Sequence, residues 1–274
     1  MNRIASLSRT LLLLVAVCCA ALSAQTGDAI AAATAGKTAM PGYFPMYWDD
    51  AAGRLLLVVD RWDKDFLYVS SLPAGVGSND LGLDRGQLGA QRVVFFHRVG
   101  PKVLLMQRNT DYRASSADAA ERDAVEQSFA QAVVWGFKAE AAAGSRVLID
   151  ITDFALRDAH RIIPKLKGMN EGAFKVDAPR SAIFLERTKN FPKNSEIEST
   201  VTYVAEGDMG RYLRTVAPSA SEFTVRQHHS FVELPDAGYL PRRFDPRSGY
   251  FDVKYADYAA PIEDRIEKRV LPRH

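Results

Sequence analysis

Cysteine is almost missing from this chain of 274 residues, and the only two, Cys18 and Cys19, fall within the first 24. That stretch reads as an export signal, residues 1–24. Arg3 and Arg9 give the positive flank, Leu11–Leu22 the apolar run, and Leu22-Ser23-Ala24 a small-residue cleavage site. What remains after cleavage has no thiol, which excludes disulfides, thiol catalysis and cysteine-ligated zinc. Acylation as a lipoprotein would use Cys18 or Cys19, and Val17 before Cys18 is bulkier than the small residue such processing favours. The product is expected to be exported, periplasmic or extracellular.

Long hydrophobic runs and charge of one sign are lacking too. The apolar run of the signal falls short of the roughly 20 residues that span a bilayer, so no stable membrane span is expected. The chain has 35 basic and 33 acidic residues. Arg3 and Arg9 leave with the signal and no acid does, so the remainder is neutral. No positive excess exists to draw nucleic acid or an anionic membrane.

Catalytic fingerprints are absent as well. None of the five histidines is followed by glutamate, so there is no His-Glu-x-x-His helix. There is no Gly-x-Ser-x-Gly elbow. Gly75-Val76-Gly77 is followed by Asp80 where a dinucleotide fingerprint wants a third glycine, and no Lys-Ser/Thr completes a phosphate loop.

What is present is a glycine-rich segment between two β-type runs, Phe66–Leu72 and Arg92–Arg98. Glycines at 75, 77, 82, 86 and 89 supply positive φ or close approach, and Asn79, Asp80 and Asp84 add turn-forming side chains. Leu72, Val76, Leu81, Leu83 and Leu88 should let it fold back as an Ω-type loop packing its own apolar groups. Gly77, Asn79, Asp80, Asp84 and Arg85 are its candidate binding residues.

Around that loop the chain reads as α+β and β-rich, with mainly antiparallel sheet and about two helices. Residues 25–40, rich in Ala, Thr and Gly, are expected to be a flexible leader. A β-rich domain spans 41–258, opening on Tyr43, Phe44, Tyr47 and Trp48, and 259–274 reads as a charged connector into something further on. One helix is expected from about Asp118 to Ala132, with Asp118 and Glu121 as a capping box. A short one beyond Thr152 or Asp153 carries Ala155, Leu156 and Ile163 and is ended or bent by Pro164. Clean alternation marks Glu196–Glu206 and Glu222–Leu234 as strands. His228 and His229, in the second, are the candidate metal ligands. Adjacent strand residues point to opposite faces, so regular geometry keeps the two from one ion.

The strings Phe66–Leu72, Gly77–Gly89, Arg226–Pro235 and Phe244–Phe251 together resemble the uncharacterised N-terminal domain (DUF5117-type) of exported bacterial zinc-dependent, met-zincin-like metalloproteases. The resemblance implies a non-catalytic accessory domain that acts in folding, substrate presentation or latency. Its partner would be a metalloprotease catalytic domain in cis or in trans, bearing an extended His-Glu-x-x-His motif. No cofactor is expected in this chain, since zinc would belong to that catalytic domain. If the accessory domain masks an active site, Asp80 and Asp84 are its first candidates. The alternative is a stand-alone periplasmic module holding a peptide or glycan with the glycine loop and Tyr43–Trp48. A hydrolase using His228, His229 and Glu233 is the third reading.

Overall fold

The computed structural model describes residues 28–236, 238 and 240–271. The proposed export signal, with Cys18 and Cys19, lies outside them. Regular structure begins at once: residues expected to form a flexible leader carry helix α1 (Ala29–Thr34) and edge strand β1 (Thr38–Met40). Alanine-rich composition suits a helix as readily as a leader. Two things decide between them. The Asp28 carboxylate accepts hydrogen bonds from Ile30 N and Ala31 N at 3.1 and 3.3 Å, and Ile30 is buried against Leu56, Val58 and Leu148.

The strands after it are β2 (Met46–Asp49), β3 (Arg54–Val59), β4 (Phe66–Ala74), β5 (Leu88–Val99), β6 (Lys102–Gln107), β7 (Tyr112–Arg113), β8 (Ala132–Ala143) and β9 (Arg146–Asp150). Next come β10 (Phe174–Val176), β11 (Ala182–Ile183), β12 (Lys189–Phe191), β13 (Asn194–Ala205), β14 (Glu222–Glu233), β15 (Arg242–Arg243), β16 (Val253–Asp257) and β17 (Glu267–Leu271). Thirteen of them form one antiparallel sheet in the order β1-β2-β3-β9-β8-β6-β5-β4-β14-β13-β10, with β11 and β12 also pairing β13. The β-rich α+β class expected from the sequence is what the chain adopts.

The sheet curls into a nearly closed barrel. Its seam is polar: Tyr43 N donates to Phe191 O at 2.7 Å, and Asn190 Nδ2 donates to Met40 O and Phe44 O, each at 2.7 Å. Ser195 Oγ donates to Asn190 Oδ1 at 2.7 Å and accepts from Phe44 N at 3.1 Å. Gly42 suits this close approach: a Cβ on it would lie 2.2 Å from Asn190 Oδ1, and moving that amide aside would break its bonds to Met40 O, Phe44 O and Ser195 Oγ.

Inside the barrel, Phe44, Phe66, Phe96 and Phe231 meet largely edge to face, with centroids 5.1–6.4 Å apart. Strand β3 is buried on both faces. Leu55, Leu57 and Val59 face this interior, while Leu56 and Val58 lie under α1, which is why its sequence is apolar without alternation.

Four more short helices complete the described residues: α2 (Ala119–Ser128), α3 (Thr152–Leu156), α4 (Ile162–Gly168) and α5 (Arg211–Val216). Asp118 caps α2 as expected, accepting from Ala120 N at 2.9 Å, but the helix stops at Ser128. Phe129 turns extended and stacks on Tyr112, centroids 3.9 Å apart. The helix expected beyond Thr152 is two helices, divided at Arg161, which has φ 57°. Pro164 ends neither. It sits in the first turn of α4, where its missing N–H would have had no helical partner.

At one end of the barrel, α4, α5 and the glycine loop pack together in a second core of Leu72, Leu81, Leu83, Ile162, Leu166 and Leu213 with neighbours from β10, β13 and β14. The remaining strands make a separate small sheet, β15-β17-β16-β7, whose β16–β7 pairing is parallel.

Candidate functional site

The glycine segment is a packed loop. Val76 N donates to Leu83 O at 2.8 Å, and Leu72 exchanges backbone hydrogen bonds with Gln87 and Gly86 at 2.9 and 2.8 Å. Leu72, Leu81 and Leu83 are fully buried and Val76 packs against the same core. Leu88, expected among them, is exposed, because it opposes Ser71 on the outer face of β4 and β5. Gly77, Gly82 and Gly86 have positive φ, whereas Gly75 serves close approach: a Cβ there would lie 2.0 Å from Leu83 O. Of the candidate binding residues, Asp84 accepts from Gln87 Nε2 at 2.6 Å and the Asn79 carbonyl accepts from Gly82 N at 2.8 Å. Gly77, Asp80 and Arg85 are exposed. The aromatic opening is not a surface platform as a whole, since Tyr43 and Phe44 belong to the barrel core.

His228 and His229 point to opposite faces of β14. On the outside, His228 donates from Nε2 to Glu196 Oε2 at 2.6 Å and from Nδ1 to Glu198 Oε2 at 3.2 Å. Pairing with β13 sets this up, because His228 stands directly across from Glu198 and Ser230 across from Glu196. Burial works against the imidazolium, but the bonds and charges of Glu196 and Glu198 outweigh it and hold the His228 pKa above its ordinary value. A ring that gives both nitrogens to carboxylates has no lone pair for a metal.

His229 lies fully buried inside. Its Nε2 donates to Ala155 O at 3.0 Å, which leaves Nδ1 as the acceptor of the Tyr68 hydroxyl at 2.9 Å. Burial, reinforced by the charge of Arg157, pushes its pKa down to about 3. The ring is therefore a neutral link in a chain running from Arg157 Nη2 through the Tyr68 hydroxyl to Ala155 O. Among the described residues, no group of three or more His, Cys, Asp or Glu side chains is arranged to hold a metal ion.

The hydrogen-bond chain belongs to a polar cluster where the barrel meets α3 and α4. Gln227 Nε2 donates to Arg157 O at 3.1 Å and to the Tyr203 hydroxyl at 3.2 Å, and Gln227 Oε1 accepts from His160 N at 2.9 Å. Tyr203 donates to Asp158 Oδ1 at 2.9 Å, and the same carboxylate caps α4 by accepting from Ile162 N and Ile163 N. Sequence reasoning missed this cluster. Its members come from four separate segments, around Tyr68, Arg157, Tyr203 and Gln227, and no local spacing connects them.

A family model described as a domain of unknown function, DUF5117, matches residues 86–274, more than two thirds of the sequence. The chain belongs to this family. No curated protein and no solved structure is significantly similar to it. The match opens within the glycine loop, and it takes in all of β8–β17 together with Arg92, Arg157, His160, His228 and His229.

The last part of the matched region presents a different surface. Around the small sheet, Leu240, Phe251, Val253, Tyr258, Ile262 and Ile266 are exposed, Phe251 to 95% and Leu240 to 68%. Asp257 anchors this region by accepting from Ser115 N at 2.9 Å and Ala259 N at 3.1 Å.

Proposed function

We propose that this chain is the non-catalytic accessory region of an exported zinc-dependent metalloprotease-like protein, and that it works by surface contact with the catalytic domain. One observation carries the reading: the exposed apolar side chains gathered between Leu240 and Ile266. Most large apolar groups elsewhere are covered, and a concentration of uncovered ones marks a surface that meets a partner. The resemblance to the N-terminal region of met-zincin-like proteases names that partner as a catalytic domain supplying the zinc and its ligands. Contact through the small sheet would leave the barrel unchanged, in keeping with a role in folding, substrate presentation or latency.

The test expresses the uninterrupted reading frame that contains this chain, with zinc content, peptidase activity on casein and hydrogen exchange as readouts. The expected result is a His-Glu-x-x-His motif in that frame, one bound zinc per chain, and slowed exchange across 240–266 relative to residues 28–274 expressed alone. Phe251→Asp and Ile262→Asp should restore fast exchange there, while changing the stability of the isolated chain by only about 0.5 kcal/mol, as exposed substitutions do. A frame without the motif and a product without zinc would overturn the reading in cis.

A further inference from the structure

Among the described residues, four buried side-chain polar atoms make no hydrogen bond: Ser70 Oγ, Arg92 Nη1, Arg157 Nη1 and His160 Nδ1. They share one neighbourhood. Arg92 stands directly across from Tyr68 in the β4–β5 pairing, its guanidinium carbon 5.9 Å from the Tyr68 ring centroid, and that of Arg157 is 5.7 Å from the same centroid. Ser70 lies two residues along β4 from Tyr68 and faces inward with it, opposite His229. A Cβ on Gly89 would come within 2.4 Å of Ser70 Oγ and 3.0 Å of His160 Nδ1, so the missing side chain of Gly89 lets those two buried atoms lie close against the β5 backbone.

The charge here is unbalanced. Neither Arg92 nor Arg157 forms an ion pair among the described residues, whereas His228, on the outer face, is matched by two carboxylates. Asp158 acts on Arg157 only at longer range, and its carboxylate is taken by Tyr203, Ile162 N and Ile163 N. Burial, and with it the charge of Arg92, holds the Arg157 pKa below its ordinary value. Two guanidinium groups beside one ring, each with a buried donor atom unused, are costly unless something negative lies between them. Arg92, Arg157 and His160 are each only partly buried, so the cluster borders the surface.

We propose that this end of the barrel binds a small oxyanion, a carboxylate or a phosphate group, between Arg92 and Arg157, with Ser70 Oγ and His160 Nδ1 as flanking donors. Guanidinium forks match the paired oxygens of either group. The proposal goes beyond the accessory reading and stands on its own residues.

Thermal unfolding and titration calorimetry of the whole chain test it, with sodium phosphate, sodium acetate, and Gly-Gly-Gly with a free or an amidated C-terminus, all against chloride at matched ionic strength. At least one oxyanion should raise the unfolding midpoint saturably. Arg92→Gln and Arg157→Gln should each raise its Kd at least tenfold, while Arg211→Gln, at an exposed arginine outside the cluster, should leave it unchanged. Response to phosphate alone assigns the site to phosphoryl groups, and response to the free but not the amidated tripeptide assigns it to peptide C-termini. Arg157 also bonds Tyr68, so its variant could lose the fold. The Arg92 side chain makes no hydrogen bond among the described residues, and Arg92→Gln keeps the test open. No saturable gain with any oxyanion, or a gain that survives Arg92→Gln, overturns the proposal.

Discussion

His228 and His229 are neighbours in sequence whose protons respond to pH in opposite senses. The folded pKa of His228 lies above its unfolded value, so its contribution to stability is fully present below the unfolded pKa and is lost as pH rises through the folded one. His229, held down to about 3, contributes above its unfolded pKa, and that contribution falls away as pH drops toward 3. Removing His228 isolates the first effect. His228→Gln should destabilise by about 1.5–3 kcal/mol near pH 5.5, as expected for hydrogen bonds to charged groups, and by clearly less near pH 9. Urea unfolding midpoints at the two pH values check this, and an equal loss at both would mean that His228 is not an imidazolium in the folded protein. Glu196 stays ionised at the lower pH: burial opposes its charge, but hydrogen bonds from His228, Ser230 and Asn194 lower its pKa overall.

The glycine loop shows how one residue type meets two different demands. Gly77 has φ 79° with open space around it, so Gly77→Ala should cost only the left-handed penalty, about 1–2 kcal/mol. Gly75 has an ordinary φ, but its would-be Cβ overlaps the Leu83 carbonyl oxygen, and backbone cannot move aside as a flexible side chain would. Gly75→Ala should therefore cost more than Gly77→Ala and should detach Leu81 and Leu83 from α4. Denaturant unfolding ranks the two variants, and the reverse order would show that the loop is not held by the Val76–Leu83 pairing. Glycine density in the sequence marked the loop and its inward leucines. It could not say which glycine turns the chain and which lets two strands of loop touch, because that depends on what lies opposite.

Across the whole molecule, stability should be uneven. Strands β13 and β14 pair over eleven consecutive residues and line both cores, while the small sheet contributes only Leu271 and Asp257 to the buried set. Local opening is easiest where little apolar surface is buried. Amides of β16 and β17 in the isolated chain should exchange at least about tenfold faster than those of β13 and β14, and equal protection would mean that barrel and small sheet unfold as one unit. A region that opens easily and exposes Phe251 and Ile262 is also the region that a partner could order.

The sequence by itself determined the features that local geometry dictates. Period-two alternation placed Ile197, Val201 and Tyr203 on one face of β13 and set His228 and His229 on opposite faces of β14. Asp118 announced the start of α2, and the glycines announced the loop. Each depends on residues within a few positions of one another, and the pleat or helical turn converts their spacing directly into direction. Only the tertiary structure decided which strands became neighbours. Closure of the barrel brings Gly42 against Asn190, strand pairing puts two glutamates beside His228, and the return of the chain through α3 lays Arg157 over the ring that Arg92 already faces. Those meetings join residues 30 or more positions apart, and they are set by the burial of the two cores, which acts on the chain as a whole and leaves no mark in any short stretch of it.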